Sequence, residues 1–288
     1  MKKILIGLVS ALLFATGVSA QKTDVLGVGA RFGMASFMQE TQDWKWKVGF
    51  NTLADVQYAH YFGTIDSKGS QWGLRTGLSL GYMQSSIAAP VELQFNAQDE
   101  LGGNVLYTVT SSEVKETDRQ LFLEVPLMVE FTFWRMYAGA GLKAGIPVWS
   151  RYTQRMADLN IDAYYEDFDV HVTNEVVTGA AAEEDKVQTK KWNGSNINLS
   201  VTGEIGYLFE LKNGNSLGIG LYADYTFWNN YKNESPSALV DVETGAIDPV
   251  SGAGAAVHVT NLTDAYVDKL GYFDFGIKVS YNFNLSKK

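Results

Sequence analysis

The chain has 288 residues, 46% of them hydrophobic and 13% aromatic, with 28 glycines, 5 prolines and no cysteine. Its 23 lysines and arginines against 32 acidic residues give a net charge of −9, which argues against a nucleic-acid partner, because phosphate backbones are met by clustered cations. The lack of cysteine excludes disulfides and thiolate metal centres, while abundant glycine and aromatics with scarce proline suit long paired strands that have one crowded face.

Residues 1–20 read as a secretory leader outside the fold. Lys2 and Lys3 precede an apolar run from Ile4 to Phe14, and Val18-Ser-Ala20 offers small residues for cleavage after Ala20. The run falls short of the ~20 apolar residues of a spanning helix. Export is expected, with residues 21–288 as one domain. Without the two leader lysines, 21 basic residues face 32 acidic ones. No cysteine follows the cut, which argues against a lipid anchor. Any embedding in a membrane has to come from strands.

Strand signals follow in order, each with large apolar residues at alternate positions, since successive strand side chains point to opposite faces. The first spans Asp24–Met38, with Leu26, Val28, Phe32 and Met34 on one side and Gly27, Gly29, Arg31 and Gly33 on the other. A short polar connection carries Trp44, with Trp46 just after it. The second, Lys47–Phe62, sets Val48, Phe50, Val56 and Tyr58 against Asn51, Asp55 and Gln57. A polar turn at residues 63–70 leads into the third, Gln71–Ser85, where Trp72, Leu74, Leu78 and Leu80 alternate with Gly73, Arg75, Gly77 and Gly81. Ser86–Asp118 is long and polar. Two short alternating runs inside it, Val91/Leu93/Phe95 and Val105/Tyr107/Val109, suggest a hairpin reaching beyond a membrane.

The fourth strand, Arg119–Phe133, presents Leu121, Leu123, Val125, Leu127 and Val129 one way and Glu124, Pro126, Met128 and Glu130 the other. Its stretch Leu123-Glu-Val-Pro-Leu-Met-Val-Glu-Phe131 resembles the L-E-[IV]-P-L strand of the PorT-like outer-membrane β-barrel domain family. That family follows it with a tight turn and a Gly-rich strand, as Trp134-Arg135 and Met136–Val148 do here. A proline in mid-strand is unexpected on propensity. The resemblance implies a small porin-like barrel of the Gram-negative outer membrane, with members tied to secretion or left as general surface proteins.

Lys143 interrupts the glycines of the fifth strand, and Ser150–Asn196 is the longest connection. The sixth strand, Ile197–Leu211, holds Glu204 on its polar side. Lys212-Asn-Gly-Asn215 makes a hairpin turn, Asn-Gly being a strong short-range signal for one. The seventh, Ser216–Trp228, holds Asp224, and Asn229–Asp268 forms a third long loop. The eighth runs from Leu270 to Phe283 and alternates Phe273, Phe275, Ile277, Val279, Tyr281 and Phe283 with Asp274, Gly276, Lys278, Ser280 and Asn282. The spacing of Asp274, Gly276, Val279, Tyr281 and Phe283 resembles the C-terminal signal that barrels present to their assembly machinery, although Asn284–Lys288 follow the aromatic.

Eight strands with alternating short and long connections predict an all-β fold: an up-and-down antiparallel transmembrane β-barrel with long extracellular loops and both termini in the periplasm. All seven tryptophans fall near predicted strand ends, Trp72 and Trp134 on the turn side and Trp44, Trp46, Trp149, Trp192 and Trp228 on the loop side, as two interface girdles would need. A soluble β-sandwich would bury the same apolar face. Its water-facing side would then favour Lys, Glu and Thr, whereas this one is rich in glycine, which weakens a strand unless curvature or close approach requires it.

The predicted lumen gathers Arg31, Arg75, Lys143 and Lys278 with Asp55, Glu124, Glu130, Glu204, Asp224 and Asp274. In a bore only wide enough for side chains these should pair, since buried unpaired charge is costly. A structural plug of ion pairs is the expectation, with a proton or solute path as its rival. Catalysis draws little support: His60 reads as a girdle residue, and His171 and His258 lie in separate loops with no spaced motif. The acidic run with Asp158, Asp162, Glu166, Asp167 and Asp169 lacks the spacing of a known calcium loop, so no cofactor or metal is expected. The expected function is a non-enzymatic outer-membrane barrel whose loops contact a surface or secretion partner. A small-solute channel and an interfacial enzyme are the alternatives. Outer-membrane lipid, lipopolysaccharide and the barrel assembly machinery are the other expected partners.

Overall fold

A strand that is apolar on one face and small or polar on the other must hide the first from water and satisfy every backbone N–H and C=O. A closed antiparallel barrel in lipid does both, because closure leaves no open edge. The computed structural model has this form. It describes residues 23–39, 45–62, 70–98, 102–158, 160–173, 187–191, 197–229, 240–248, 253–259 and 270–285. The leader, Trp44 and Trp192 lie outside the described residues.

In chain order the strands are β1 (Thr23–Gln39), β2 (Lys45–Phe62), β3 (Gln71–Gln98), β4 (Asn104–Phe133), β5 (Met136–Ala157), β6 (Asn160–Tyr165), β7 (Val170–Val172), β8 (Val187–Lys191), β9 (Asn198–Glu210), β10 (Ser216–Asn229), β11 (Val240–Asp248), β12 (Ala253–Val259) and β13 (Leu270–Asn284). Each of the eight predicted strands is present. β1, β2, β3, β4, β5, β9, β10 and β13 pair antiparallel with their neighbours, and the ring closes where Val25 meets Asn284 and Gln39 meets Leu270. The fold is an eight-stranded transmembrane up-and-down barrel.

The outer wall is apolar. Phe32, Val56, Leu78, Val129, Leu142, Ile205, Leu221 and Ile277 are all exposed on it. Along β13 the outward residues run from Phe273 to Phe283, about 33 Å of strand at a rise near 3.3 Å. At a tilt of about 40° that covers roughly 25 Å of height, the apolar band of an outer-membrane barrel. So large an exposed apolar surface has no place in water, and no helix among the described residues is long and apolar enough to cross a membrane. The chain is an integral membrane barrel of the kind that bacterial outer membranes hold.

Three strands, β3, β4 and the 22-residue β5, are much longer than the bilayer requires. β4 has 30 residues and β3 has 28, where about 9–11 suffice to cross. The segment 86–118 is therefore continuous strand through most of its length, and its Gln98–Asn104 hairpin stands well clear of the barrel. β6 adds to the outer part of β4 and β7 to β6, while β8 pairs with the outer part of β5, so the segment 150–196 contains sheet where the sequence suggested a loop. The third long connection likewise holds the β11–β12 hairpin. Val105, Tyr107, Val109, Val114 and Ala163 are buried in this protruding sheet, which gives it an apolar core of its own.

Pro126 has a local reason. The pairing of β3 with β4 lapses between Thr76–Leu127 and Ser79–Glu124, so a residue without an N–H sits where that ladder is already broken. The Thr76 hydroxyl donates to the Pro126 carbonyl at 2.8 Å. At the β9–β10 turn Gly214 takes a φ of 80°, which glycine adopts freely, and the Asn213 side-chain carbonyl accepts from the Asn215 N–H at 3.1 Å.

Candidate functional site: the charged lumen

Alternate residues of eight inward-leaning strands converge on a narrow bore, and here those residues are charged. Arg31, Asp55, Arg75, Glu124, Glu130, Lys143, Glu204, Asp224, Asp274 and Lys278 are all buried, none more than 6% exposed. Glu204 on β9 is the hub. It meets Arg31 from β1 at 2.5 Å, Lys278 from β13 at 2.9 Å and Arg75 from β3. Three cations around one carboxylate engage both of its oxygens.

Two branches leave the hub. Towards the turns, Arg75 reaches Glu130 at 2.5 Å, and Glu130 also accepts from the Tyr61 hydroxyl. Towards the loops, Arg31 lies 3.6 Å from both Asp55 and Asp224. Asp224 pairs with Lys143, which stands 3.6 Å from Glu124. Asp274 is directly opposite Asp224 across β10 and β13 and accepts from the Asn51 amide at 2.9 Å. Uncompensated charge in such a space costs several kcal/mol per ion, so the pairing is what makes the sequence tolerable.

Aromatic rings fill the remaining space. Tyr222 donates to Asn51 at 2.8 Å and lies under Arg31, whose guanidinium carbon is 5.2 Å from the ring centroid. Tyr272 donates to Glu124 at 2.7 Å and accepts from Ser200 at 3.1 Å. These tyrosines, with Tyr61 and Tyr137, were not among the residues singled out from sequence, although they share the inward parity of Asp274, Asp55 and Lys143. The glycines make room for them. At Gly33 an added Cβ would sit 2.5 Å from the Tyr222 hydroxyl and 2.2 Å from the Phe275 carbonyl.

Of the predicted girdle, Trp72, Trp134, Trp149 and Trp228 are exposed on the exterior or at a strand end. Trp46 lies in β2, opposite Ile87 of β3. In the C-terminal segment Asp274 belongs to the lumen, Gly276 faces Gly33 across the ladder, and Val279 and Phe283 point outward. Tyr281 accepts from the Asn215 and Asn213 amides at 3.0 and 3.3 Å.

The histidines stand apart. His60 meets Asp24 at 2.7 Å on the outer wall near the turns. His171 stacks on Tyr164 at 4.4 Å in the protruding sheet, and His258 lies in β12 with its side chain outside the described residues. In the acidic run, Asp158 accepts from Ser112 at 2.5 Å, Asp162 from Asn160 at 3.1 Å and Asp169 from Tyr164 at 3.0 Å. Among the described residues no group of three or more such side chains is placed to hold a metal.

No protein-family model matches the chain, and no curated protein matches its sequence. Solved structures similar to it include Ail, the attachment invasion locus protein of Yersinia pestis, in complex with the heparin analogue sucrose octasulfate. That match covers 90% of this chain and 99% of Ail at 10% identity and a TM-score of 0.32. The translocator domain of the autotransporter NalP from Neisseria meningitidis aligns over 98% of this chain and 96% of its own, at 7% identity and a TM-score of 0.19. The CymD monoaromatic hydrocarbon channel aligns over 93% and 90%, at 9% and 0.17. None of these lends this chain a ligand.

Proposed function

We propose that this is a non-enzymatic outer-membrane protein in which a closed, ion-paired barrel serves as a rigid base for a loop-side sheet that contacts a partner or ligand. The observation that carries the reading is the lumen: ten charged side chains, all buried and nine of them joined by ion pairs that run through Glu204, occupy the space a solute would need. The chain also invests about half of β3 and β4 in sheet outside the membrane, more than any crossing demands. Leader cleavage after Ala20, assembly through the β13 signal, contact with lipopolysaccharide and a PorT-like role at the surface or in secretion belong to the same reading.

Single-channel recording in planar bilayers is the test. The plugged barrel should give no large, steady openings, and such openings would favour the small-solute channel instead. Capture of a partner from outer membranes should fail when the 90–112 hairpin is deleted. A hairpin-deleted barrel that still binds its partner would remove the sheet from the proposal.

A further inference from the structure

The outer wall changes character at its loop-side rim. On β4 the outward positions run from Phe131 to Leu121 without a charge, the same reach as Phe273 to Phe283 on β13, and Leu121 pairs with the girdle residue Trp149. One outward position further, about 5 Å higher for a rise near 3.3 Å and a tilt of about 40°, Arg119 stands opposite Arg151. Two outward positions beyond that, Lys115 stands opposite Arg155. Arg151 and Arg155 are exposed, and Arg119 and Lys115 are half-buried. The rung between the pairs sets Thr117 opposite Thr153, and the register position opposite Arg151 in β8 is Lys191.

Like charges set directly opposite each other destabilise a strand pair, and this chain has a surplus of acidic residues from which partners could come. They are placed elsewhere. Glu113 is held by Lys47 at 3.1 Å, Asp158 accepts from Ser112, and Glu116 and Asp118 are buried on the inward parity of β4. The ion pairs among the described residues leave Arg119, Arg151 and Lys115 without a carboxylate. Neutral groups hold the two guanidiniums in place instead. Arg119 donates from Nε to the Gln84 side-chain oxygen at 3.2 Å and from Nη1 to the Thr153 hydroxyl at 3.0 Å. Arg151 lies over the Trp149 ring, its guanidinium carbon 5.6 Å from the centroid.

Positive charge that is oriented but not cancelled calls for an anion, and the guanidinium fork matches phosphate. Height decides where the phosphate comes from. The cations begin where the apolar band ends, at headgroup level, on the side that an outer-membrane barrel turns to the cell exterior. A lipid brings phosphate to that level while its chains cover Leu121, Leu123 and Trp149; a soluble anion has no such second contact. The two cation pairs are separated by about 13 Å of strand, so a headgroup phosphorylated at both ends can engage both. We propose that the loop-side wall of β4 and β5 is a binding site for a phosphorylated glycolipid of the outer leaflet, of the lipid A type. Arg119 and Arg151 take one phosphate, Lys115 and Arg155 the other. This deepens the contact with lipopolysaccharide proposed above and rests on it.

The full chain, refolded in a zwitterionic detergent, is titrated with lipid A and followed by native mass spectrometry. Dephosphorylated lipid A, phosphatidylglycerol, inorganic phosphate and heparin are the comparisons. Saturable binding of lipid A, tighter than that of each comparison, is expected. Joint Arg119→Gln and Arg151→Gln should weaken it about 30-fold, and Lys115→Gln alone about 5-fold. Arg135→Gln, which removes an exposed cation at the turn side, should leave it unchanged. Gel heat-modifiability reports that each variant folds. The proposal is overturned if lipid A binds no better than its dephosphorylated form, phosphatidylglycerol or inorganic phosphate. It is also overturned if heparin binds and lipid A does not, which would make the patch a site for a soluble polyanion. Folded variants that bind lipid A as the wild type does remove this site and leave the broader lipopolysaccharide contact standing. A wild type that binds no lipid A removes both.

Discussion

Glu204→Gln is the sharpest perturbation of the lumen, because it deletes one charge without changing volume. The carboxylate is fully buried and takes Arg31 at 2.5 Å, Lys278 at 2.9 Å and Arg75 as well. A glutamine carbonyl can still accept from one or two of them, but its NH₂ turns a donor towards cations. Arg31 and Lys278 have no route to water, being 0% and 1% exposed. Charged hydrogen bonds contribute about 1.5–3 kcal/mol each, and stranding a buried ion by removing its partner costs about 3–5 kcal/mol. We expect a loss of about that size in urea unfolding of the barrel refolded into lipid vesicles, with the slope unchanged. Adding Arg75→Gln should recover part of the loss, since the two positions share one contact. A loss under about 1 kcal/mol, the level of an exposed pair, would refute the claim that the hub holds the lumen together.

The remaining expectations concern the wall. Leu221 is 60% exposed at mid-height, beside Ile277, so Leu221→Arg should cost about 2–4 kcal/mol in the same vesicle assay. If the face met water, the cost would be near zero. Gly33→Ala forces a methyl against the Phe275 carbonyl and the Tyr222 hydroxyl. It should lower the unfolding free energy by about 1–3 kcal/mol, as overpacking does, and an unchanged midpoint would count against that close approach.

The barrel was legible from the sequence because its rule is simple: lipid outside and a cramped bore inside force strict alternation over ten or more residues. Parity alone put Asp55, Glu204 and Lys278 on one surface, and the same parity would have added Tyr61 and Tyr272 had rings been counted as lumen residues. The outer half of β4 was harder to read for a physical reason. Val105, Tyr107, Val109 and Ser111 are buried at odd positions, then Val114, Glu116 and Asp118 at even ones. The phase reverses at Ser112–Glu113, where β3 pairing slips between Ala89 and Val91. A single alternating pattern therefore ends short of the strand. Outside the bilayer, moreover, nothing demands an apolar outer face, so the signal weakens there. The cavity at the turn-side end was invisible for another reason, since its walls come from the ends of many strands that no spacing in the chain connects.

That slip beside Pro90 sets how the protein meets mechanical load. Below it, rungs join β3 and β4 to a closed cylinder that resists bending in every direction. Above it, the mast towards Gln98 and Asn104 is stiffened by β6 and β7 on one flank. A pull applied at Gln98 and Asn104 is expected to act first at the Pro90 level, where the ladder is interrupted.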